Sequence, residues 1–589
     1  MCFSLCQLLY IYITRYYISM KAPKKAVKTA KPKNRKYIFV IGGVMSGVGK
    51  GIATSSIGLI LKSKGYKITL IKADPYLNVD AGTMNPTEHG EVFVMENGLE
   101  TDQDMGNYER FLNQNISQSN YMTSGMVYKS VIDRERALGY GGKCVEAIPH
   151  VRDEISDRFQ KAANDSDSDI TLVEIGGTIG DYQNVMFMEA ARTMQIENPK
   201  DVLVIVVSYV PIPNTIGEMK SKPTQNAIRQ LNGYGLHADF VIARSEVPLD
   251  DKRKEKIAIS CNVRKQNVIS APDIKSVYDV PLNFEKDKIG EAIIEGLHLD
   301  VKKVNPAQKA LGMKEWKQWN SFVKKVHNER QDHLCIAMVG KYFDSGDFTL
   351  SDSYLSVIEA LKTAGTHAGV SISIKWIDSK KIENGAIKLK DVFDECRGLI
   401  VPGGFGTTGV DGLLQAIQYV RENNIPYLGI CYGMQLAVIE YARTVAKLKG
   451  AHTTEIDKKA PHKIVDIMES QKENLVKFAM GGSMRLGSYT CKLTKGSVAA
   501  QLYGKTEIVE RHRHRYEVNN EYVPKLTEAG LVFSGTSPDG KLMEMIELPK
   551  SVHPYFIATQ AHPEFLSRPV HSHPLFDGLV KAVIASKRK

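Results

Sequence analysis

The chain has 589 residues, 43% of them hydrophobic and 24% charged, enough to bury at least two full cores. Eight cysteines lie scattered without CxxC pairs or even spacing, which argues against a disulfide framework and a structural zinc site and points to a reducing compartment. The formal net charge of +11 would suggest nucleic acid, but eight Lys/Arg with no acid fall between Lys21 and Lys36, leaving +3 for the rest. The basic character belongs to a tail, so no nucleic-acid partner is expected.

Residues 3–19 are rich in Leu, Ile and Tyr, but Arg15 interrupts them and no cationic segment precedes them. The run falls short of the ~20 residues a membrane span needs, and a signal peptide would open with positive charge. No membrane is expected, and Met20, which opens a lysine- and alanine-rich leader, reads as a start of translation. Residues 1–36 are thus an extension, its basic part a solvated, disordered arm.

Tyr37-Ile38-Phe39-Val40-Ile41 reads as a buried strand. Gly42-Gly43-Val44-Met45-Ser46-Gly47-Val48-Gly49-Lys50-Gly51 follows as a glycine-rich turn, and a helix carrying Ile52, Leu59 and Ile60 runs to Gly65. Strand, glycine loop with lysine and helix make a phosphate cradle, because exposed backbone N–H groups and a helix N-terminus attract anions. A purely structural βα turn is the bland alternative; Lys50 beside three glycines favours phosphate. The pattern departs from the usual P-loop: Val44 stands where the first glycine would be, and Gly51 replaces the Ser/Thr that touches Mg²⁺. Metal ligands must then come from carboxylates elsewhere.

The next strand, Ile68-Thr69-Leu70-Ile71, runs into Lys72-Ala73-Asp74-Pro75-Tyr76-Leu77-Asn78-Val79-Asp80, and a polar, glycine-punctuated stretch continues to Val92. Such segments after a parallel strand build sites at the carboxyl edge of the sheet. Thr101-Asp102-Gln103-Asp104 adds carboxylates, and Glu174 ends the buried strand around Leu172 and Val173; a carboxylate there is either an ion-paired structural group or a Mg²⁺ ligand. Continuous apolar runs at 202–207 and 240–243 are the mark of parallel strands covered on both faces. They carry an α/β domain through residue 299. Residues 300–331 read as a connecting helix and linker, and Leu334-Cys335-Ile336-Ala337-Met338-Val339-Gly340 opens a second α/β sheet spanning 332–589.

In that half, Ile425-Pro426-Tyr427-Leu428 leads into Gly429-Ile430-Cys431-Tyr432-Gly433-Met434-Gln435. A strand that turns sharply into a helix would lift the Cys431 thiol above the sheet near a positive helix end, where it can attack a carbonyl. One cysteine alone would more often be structural. Val401-Pro402-Gly403-Gly404-Phe405-Gly406, however, offers backbone N–H groups to an oxyanion, and Gln560-Ala561-His562-Pro563-Glu564-Phe565 offers an imidazole with an orienting carboxylate. The Arg511-His512-Arg513-His514-Arg515-Tyr516 run suits a metal poorly, because guanidinium groups repel cations. His571 and His573 read as ordinary loop histidines.

PGGFG, GxCxGMQ and HPE, in that order, resemble the class I (triad) glutamine amidotransferases. That resemblance implies glutamine hydrolysis by Cys431, His562 and Glu564, with Gly404 at the oxyanion and Gln435, Glu455 and Arg515 on the bound glutamine. GGVxSGxGKG, DPYxNVDxGTMxPxEHGEVFV, ETDxDxGxYERF, LVEIGGTxGD and KPTQ are similar to the CTP synthase family, from about Tyr37 to near the C-terminus. This second resemblance implies an N-terminal P-loop-type synthetase (amidoligase) domain, 37–299, joined by 300–331 to the amidotransferase domain. ATP would phosphorylate the uracil 4-oxygen of UTP before ammonia displaces the phosphate. It further implies ATP binding by Ser46, Gly47, Val48, Gly49, Lys50, Gly51, Lys72 and Asp104, Mg²⁺ on Asp104 and Glu174, and UTP or CTP binding by Ser46, Asp181, Gln183, Lys220, Lys222, Gln225 and Lys256. A cytoplasmic homotetramer, filaments, CTP feedback inhibition and GTP activation come with the family.

Two positions depart from the family pattern. Thr408 stands where arginine is usual in the loop linked to GTP activation, and Gln183 replaces a glutamate near the ribose, where a neutral amide can still hydrogen-bond. A cobyrinic or cobyric acid amidotransferase is the nearest rival, and Glu564 and KPTQ count against it. A GMP synthetase would need an SGGxDS loop, which the chain lacks. A catalytically silent, nucleotide-sensing filament protein conflicts with an intact Cys431, His562 and Glu564.

Overall fold

A computed structural model describes residues 35–213, 215, 217–328, 332–341, 351–468, 471 and 481–586. The expectations for residues 1–34 lie outside them. The first half is built on nine strands: β1 (Lys36–Gly43), β2 (Ile68–Asp74), β3 (Phe93–Val94), β4 (Glu100–Thr101), β5 (Tyr121–Thr123), β6 (Ile170–Ile175), β7 (Val202–Tyr209), β8 (Phe240–Ser245) and β9 (Val268–Pro272). Seven form a sheet in the order β5-β2-β6-β1-β7-β8-β9, every pair parallel. The continuous apolar runs have the expected physical cause, since every residue of β1, β2 and β6 is buried. β3 and β4 form a separate antiparallel hairpin.

The helix Pro306–Val326 starts at Asn305, whose side chain accepts from the N–H groups of Ala307 and Gln308. It lies on the first half: Trp319 and Phe322 are buried, and Trp319 Nε1 donates to the Tyr278 carbonyl at 3.0 Å.

The second half has β10 (Asp332–Gly340), β11 (Val370–Asp378), β12 (Leu399–Val401), β13 (Tyr427–Ile430), β14 (Ala451–Thr453), β15 (His462–Ile467), β16 (Arg485–Leu493), β17 (Glu507–His514), β18 (Tyr516–Val518), β19 (Val532–Thr536), β20 (Met543–Glu547) and β21 (Phe556–Thr559). Nine of these run β11-β10-β12-β13-β21-β20-β19-β16-β17. The stretch β11 to β21 is parallel, as a second α/β sheet requires. The remainder, β20 to β17, is an antiparallel extension. Its strands β16, β17 and β19 are only partly buried and lack the apolar runs that marked the parallel core, while β20 is buried throughout.

One expectation on cysteines is corrected. Cys335 of β10 and Cys396, just before β12, form a disulfide with their Cα atoms 4.5 Å apart. Neighbouring strands bring together two residues 61 apart in sequence, which spacing alone does not show. Among the described residues no helix is long and apolar enough to cross a membrane.

The two halves meet through buried charge. Arg511 and Glu109 are both fully buried, 2.9 Å apart, and Arg568 reaches the same carboxylate at 2.5 Å. Glu109 is thus shared by two guanidinium groups, so its buried carboxylate is paired from both sides.

Candidate functional site

Cys431 stands at the end of β13 with φ 49° and ψ −96°, immediately before the helix Tyr432–Thr444. That left-handed backbone makes the sharp turn expected of a nucleophile that must point out of the sheet. Two glycine positions permit it, and Gly433 is the tighter: a Cβ there would lie 2.2 Å from the Val401 carbonyl oxygen. The Cys431 N–H donates to the Thr559 carbonyl at 2.7 Å, which fixes the turn to β21.

β21 in turn supplies the partners. Gln560 Nε2 donates to Cys431 Sγ at 3.5 Å, and the Arg513 carbonyl lies 3.6 Å from the sulfur. His562 Nδ1 is 2.7 Å from Glu564 Oε1, its ring stacks on Phe565, and its Nε2 is left for another partner. Burial works against a charged imidazole, but Glu564 and then Cys431 outweigh it and raise His562 to about 10. Cys431 and His562 are therefore placed together as nucleophile and base. A Cβ on Gly403 would come within 2.7 Å of His562 Cε1, so the PGGFG loop closes directly on the imidazole.

The loop is held at Gly406. Its N–H donates to Glu455 Oε1 at 2.9 Å, while its carbonyl accepts from Lys341 Nζ and from the Tyr432 hydroxyl at 3.2 Å. Burial lowers Lys341 to about 8. Gln435 Nε2 donates to the Tyr516 carbonyl at 2.8 Å, and Arg515 donates to Gln471 and Ser483. Gly404, Gln435 and Glu455 thus lie on elements that converge at Cys431, with Arg515 on the adjoining β17–β18 turn. Lys341, Gln560 and the Arg513 carbonyl were not foreseen, since each reaches the site by sheet order and no motif contains all three.

His512 and His514 are buried against Arg485, and burial and that guanidinium push both well below the usual imidazole range, His514 to about 3. Neutral and cation-flanked, they are buried in the core, which the sequence did not indicate. His573 lies in the loop before the helix Pro574–Ser586 as expected, but it is no ordinary loop histidine: it is buried, 3.0 Å from Glu510.

A second constellation lies at the carboxyl edge of the parallel sheet. Lys72, at the end of β2, pairs with Asp104, with Glu174 at 3.0 Å and Asp74 at 3.7 Å, and lies 3.9 Å from Asp102. Burial opposes its charge, yet these carboxylates hold Lys72 well above the ordinary lysine range. Burial likewise raises Asp102 and Glu174, whereas at Asp104 the Lys72 charge outweighs burial and lowers it. Tyr108 donates to Glu174 at 2.5 Å.

The glycine loop explains the missing hydroxyl. A Cβ on Gly51 would lie 2.1 Å from Asp104 Oδ1, so a carboxylate occupies the place a P-loop Ser or Thr would take. Gly51→Ala is expected to lower ammonia-supported product formation about 100-fold, through displacement of Asp104, with glutamate release retained; retention of both would show that Asp104 need not stay there. Val44 takes φ 80°, doing the work of the absent first glycine. Lys50 Nζ donates to the Gly177 carbonyl at 2.8 Å, and Asp181 caps the following turn, accepting from the Thr178 N–H at 2.6 Å. Ser46, Gly47 and Gly49 are exposed along the same turn, and Val48 is buried beneath it.

Asp104 and Glu174 both reach Lys72 Nζ, and their carboxylates are hard oxygen donors of the kind Mg²⁺ takes. Among the described residues no group of three or more His, Cys, Asp or Glu is arranged to hold a metal. A magnesium ion here would take its remaining ligands from phosphate and water. Lys220 pairs with Glu218 at 2.7 Å and Lys256 lies on the helix Asp251–Cys261; Lys222 and Gln225 open the helix Lys222–Gly233, and Gln183 is exposed. A cavity of about 250 Å³ beside Gly49, lined by Ile242, Arg244, Pro272, Ile274 and Val280, has room for a flat ring. The sequence did not show it, because its walls come from the ends of β8 and β9.

Fold and site together define a two-part enzyme: a cysteine amidotransferase of the class I triad type joined to a nucleotide-binding synthetase. Residues 36–299 match the family model "CTP synthase N-terminus" and residues 349–582 the model "Glutamine amidotransferase class-I". The chain is 47% identical over 559 residues to a CTP synthase of Methanococcus aeolicus, covering 94% of this chain and 100% of that one. To a CTP synthase of Caldanaerobacter subterraneus it is 46% identical, covering 94% and 99%. A solved glutaminase domain of Trypanosoma brucei CTPS with bound acivicin is 36% identical, covers 43% of this chain and 94% of its own, and has a TM-score of 0.39. The chain belongs to the CTP synthase family and carries both of that family's domains.

The His562 shift makes a testable pH statement. A group raised to about 10 keeps its proton through neutral pH and loses it only as pH climbs to about 10. Alkylation of Cys431 by iodoacetamide, read by peptide mass, is expected to stay flat from about pH 7 to about 9 and to break only as pH approaches about 10. In Glu564→Gln the break should fall toward the ordinary imidazole range of about 6.5. A wild-type break near 6.5 would contradict the pairing.

Proposed function

We propose that the chain performs glutamine-dependent CTP synthesis with the following division of labour. Residues 332–589 hydrolyse glutamine: Cys431 attacks the side-chain amide, His562 takes and returns the proton, Glu564 orients the imidazole and the Gly404 N–H receives the oxyanion. Gln435, Glu455 and Arg515 bind the substrate's polar groups. Residues 37–299 bind ATP on Ser46 to Gly51, with adenine in the cavity beside Gly49, and bind UTP at Ser46, Asp181, Gln183, Lys220, Lys222, Gln225 and Lys256. Residues 300–331 join the two.

A uracil carbonyl oxygen leaves poorly until it is phosphorylated, so phosphoryl transfer from ATP precedes amination. Lys72 and Lys50 neutralise the charge that develops on the phosphates. A magnesium ion held by Asp104 and Glu174 would add charge neutralisation there. Ammonia is protonated in bulk water near neutral pH, so it passes from Cys431 to UTP inside the protein. CTP acts as feedback inhibitor at the UTP site. GTP is an activator of the family, and Thr408 weakens the case for it here. Exposed Tyr128, Ile132, Leu138, Ile148 and Tyr182 on the synthetase half suit burial between copies, in a cytoplasmic homotetramer.

The observation that carries the reading is the strained Cys431 turn beside the His562–Glu564 pair. Chromatography of protein with UTP, ATP, Mg²⁺ and glutamine tests it, with Glu174→Gln alongside. CTP should form in wild type, vanish with a chelator, and require more Mg²⁺ in the variant. Full-rate CTP formation without divalent metal would overturn the metal assignment, and absence of CTP from any nitrogen source would overturn the reading.

A further inference from the structure

The β3–β4 hairpin belongs to the synthetase half but lies against β16 and β17 of the glutaminase sheet. Ser488 N–H donates to the Glu96 carbonyl at 2.8 Å, and Arg511 Nη1 to the Val94 carbonyl at 3.0 Å. The approach is backbone on backbone: a Cβ on Gly487, at φ 90°, would lie 2.5 Å from Gly98 N, and one on Gly98, at φ 93°, would lie 2.8 Å from the Leu486 carbonyl. The hairpin cannot slide there without breaking the junction.

At its second strand, Glu100 is 1% exposed and accepts from Arg513 Nε at 2.7 Å. Its other oxygen, Oε2, is buried without a hydrogen-bond partner. The same Arg513 presents its carbonyl to Cys431 Sγ at 3.6 Å. Four residues beyond Glu100 stands Asp104, paired with Lys72, and the Asp102 carboxylate accepts from the Asp104 N–H at 2.9 Å. One continuous segment, 100–104, therefore touches the residue beside the nucleophile at one end and the phosphoryl-site lysine at the other.

We propose that Glu100 is a positioning residue that ties glutamine hydrolysis to the state of the synthetase site. Its carboxylate holds Arg513 so that the carbonyl competes with His562 for the Cys431 thiol proton. A shift of Asp104 when nucleotide phosphates engage Lys72 is transmitted along 100–104 and changes that competition. The pairing is charge-assisted and one carboxylate oxygen is unsatisfied, so the link is specific but can let go. The inference rests on the division of labour proposed above.

The test compares wild type, Glu100→Gln and Arg513→Lys in three assays: glutamate released per CTP formed, CTP formed from ammonium, and Cys431 alkylation by iodoacetamide. Loss of one charge-assisted hydrogen bond corresponds to roughly tenfold in an equilibrium. Both variants are expected to raise glutamate per CTP several-fold above wild type and to speed alkylation without nucleotides, while ammonium-supported synthesis stays close to wild type. Arg513→Lys keeps the charge and loses the Nε donor, so the link is tested even where Glu100→Gln does not fold. An unchanged glutamate-to-CTP ratio, or an equal fall in all activities, would overturn the proposal. Failure of wild type to make CTP from either nitrogen source would instead overturn the underlying reading, and the alkylation result would still report on Glu100.

Discussion

Cys431→Ala is expected to abolish CTP formation from glutamine, by a factor on the order of 10⁴ to 10⁶, and to leave synthesis from ammonium intact. The size follows from the chemistry: the sulfur is the only atom at the turn that can form the covalent intermediate, and His562 and Glu564 have no work without it. The spared half-reaction follows from structure. Alanine keeps the Cβ and can hold the φ of 49° no worse than cysteine, so the turn, the Thr559 contact and the adjoining loop are unchanged. Chromatography of CTP with each nitrogen source checks both. Loss of the ammonium reaction in a folded variant would mean that Cys431 also serves the synthetase half.

Lys72→Met is expected to lose CTP formation from both nitrogen sources, by about 10³-fold or more, because the phosphoryl group loses the cation placed at its path. The same change removes the partner of Asp104 and Glu174 in a site where Lys72 and Glu174 are nearly fully buried. Leaving buried carboxylates unpaired costs about 3–5 kcal/mol, so the variant's melting temperature should fall as well. Glutamate release by the distant triad separates the two effects. If the folded variant still releases glutamate and makes no CTP, Lys72 acts in phosphoryl transfer; if it makes CTP from ammonium near the wild-type rate, that role is wrong.

Much of the architecture could be read from the chain because its parallel strands are apolar on both faces. β1, β6 and β7 appear in the sequence as unbroken runs, and the turns that follow them carry the chemistry. Cys431, His562 and Glu564 were legible for a related reason: each sits in a short stretch whose neighbours are dictated by the turn it must make. The antiparallel extension from β16 to β20 was not legible, since its strands mix Arg, His and Glu with apolar residues. Nor were contacts made by sheet order. Lys341 meets Gly406 because β10 and β12 are neighbours, the cavity beside Gly49 is walled by β8 and β9, and the Cys335–Cys396 bond joins β10 to the segment that leads into β12. No local pattern records such adjacency. Gly51 is the intermediate case: its departure from the P-loop pattern was visible, and the carboxylate that explains it, Asp104, came into view with the fold.

The central claim is that nitrogen released at Cys431 reaches UTP within the protein. The most direct measurement supplies glutamine labelled with ¹⁵N at the amide together with equimolar unlabelled ammonium near neutral pH, and reads the isotope at the 4-amino group of CTP by mass spectrometry. Internal transfer predicts CTP that carries almost wholly ¹⁵N. CTP with the isotopic composition of the mixed pool would contradict it.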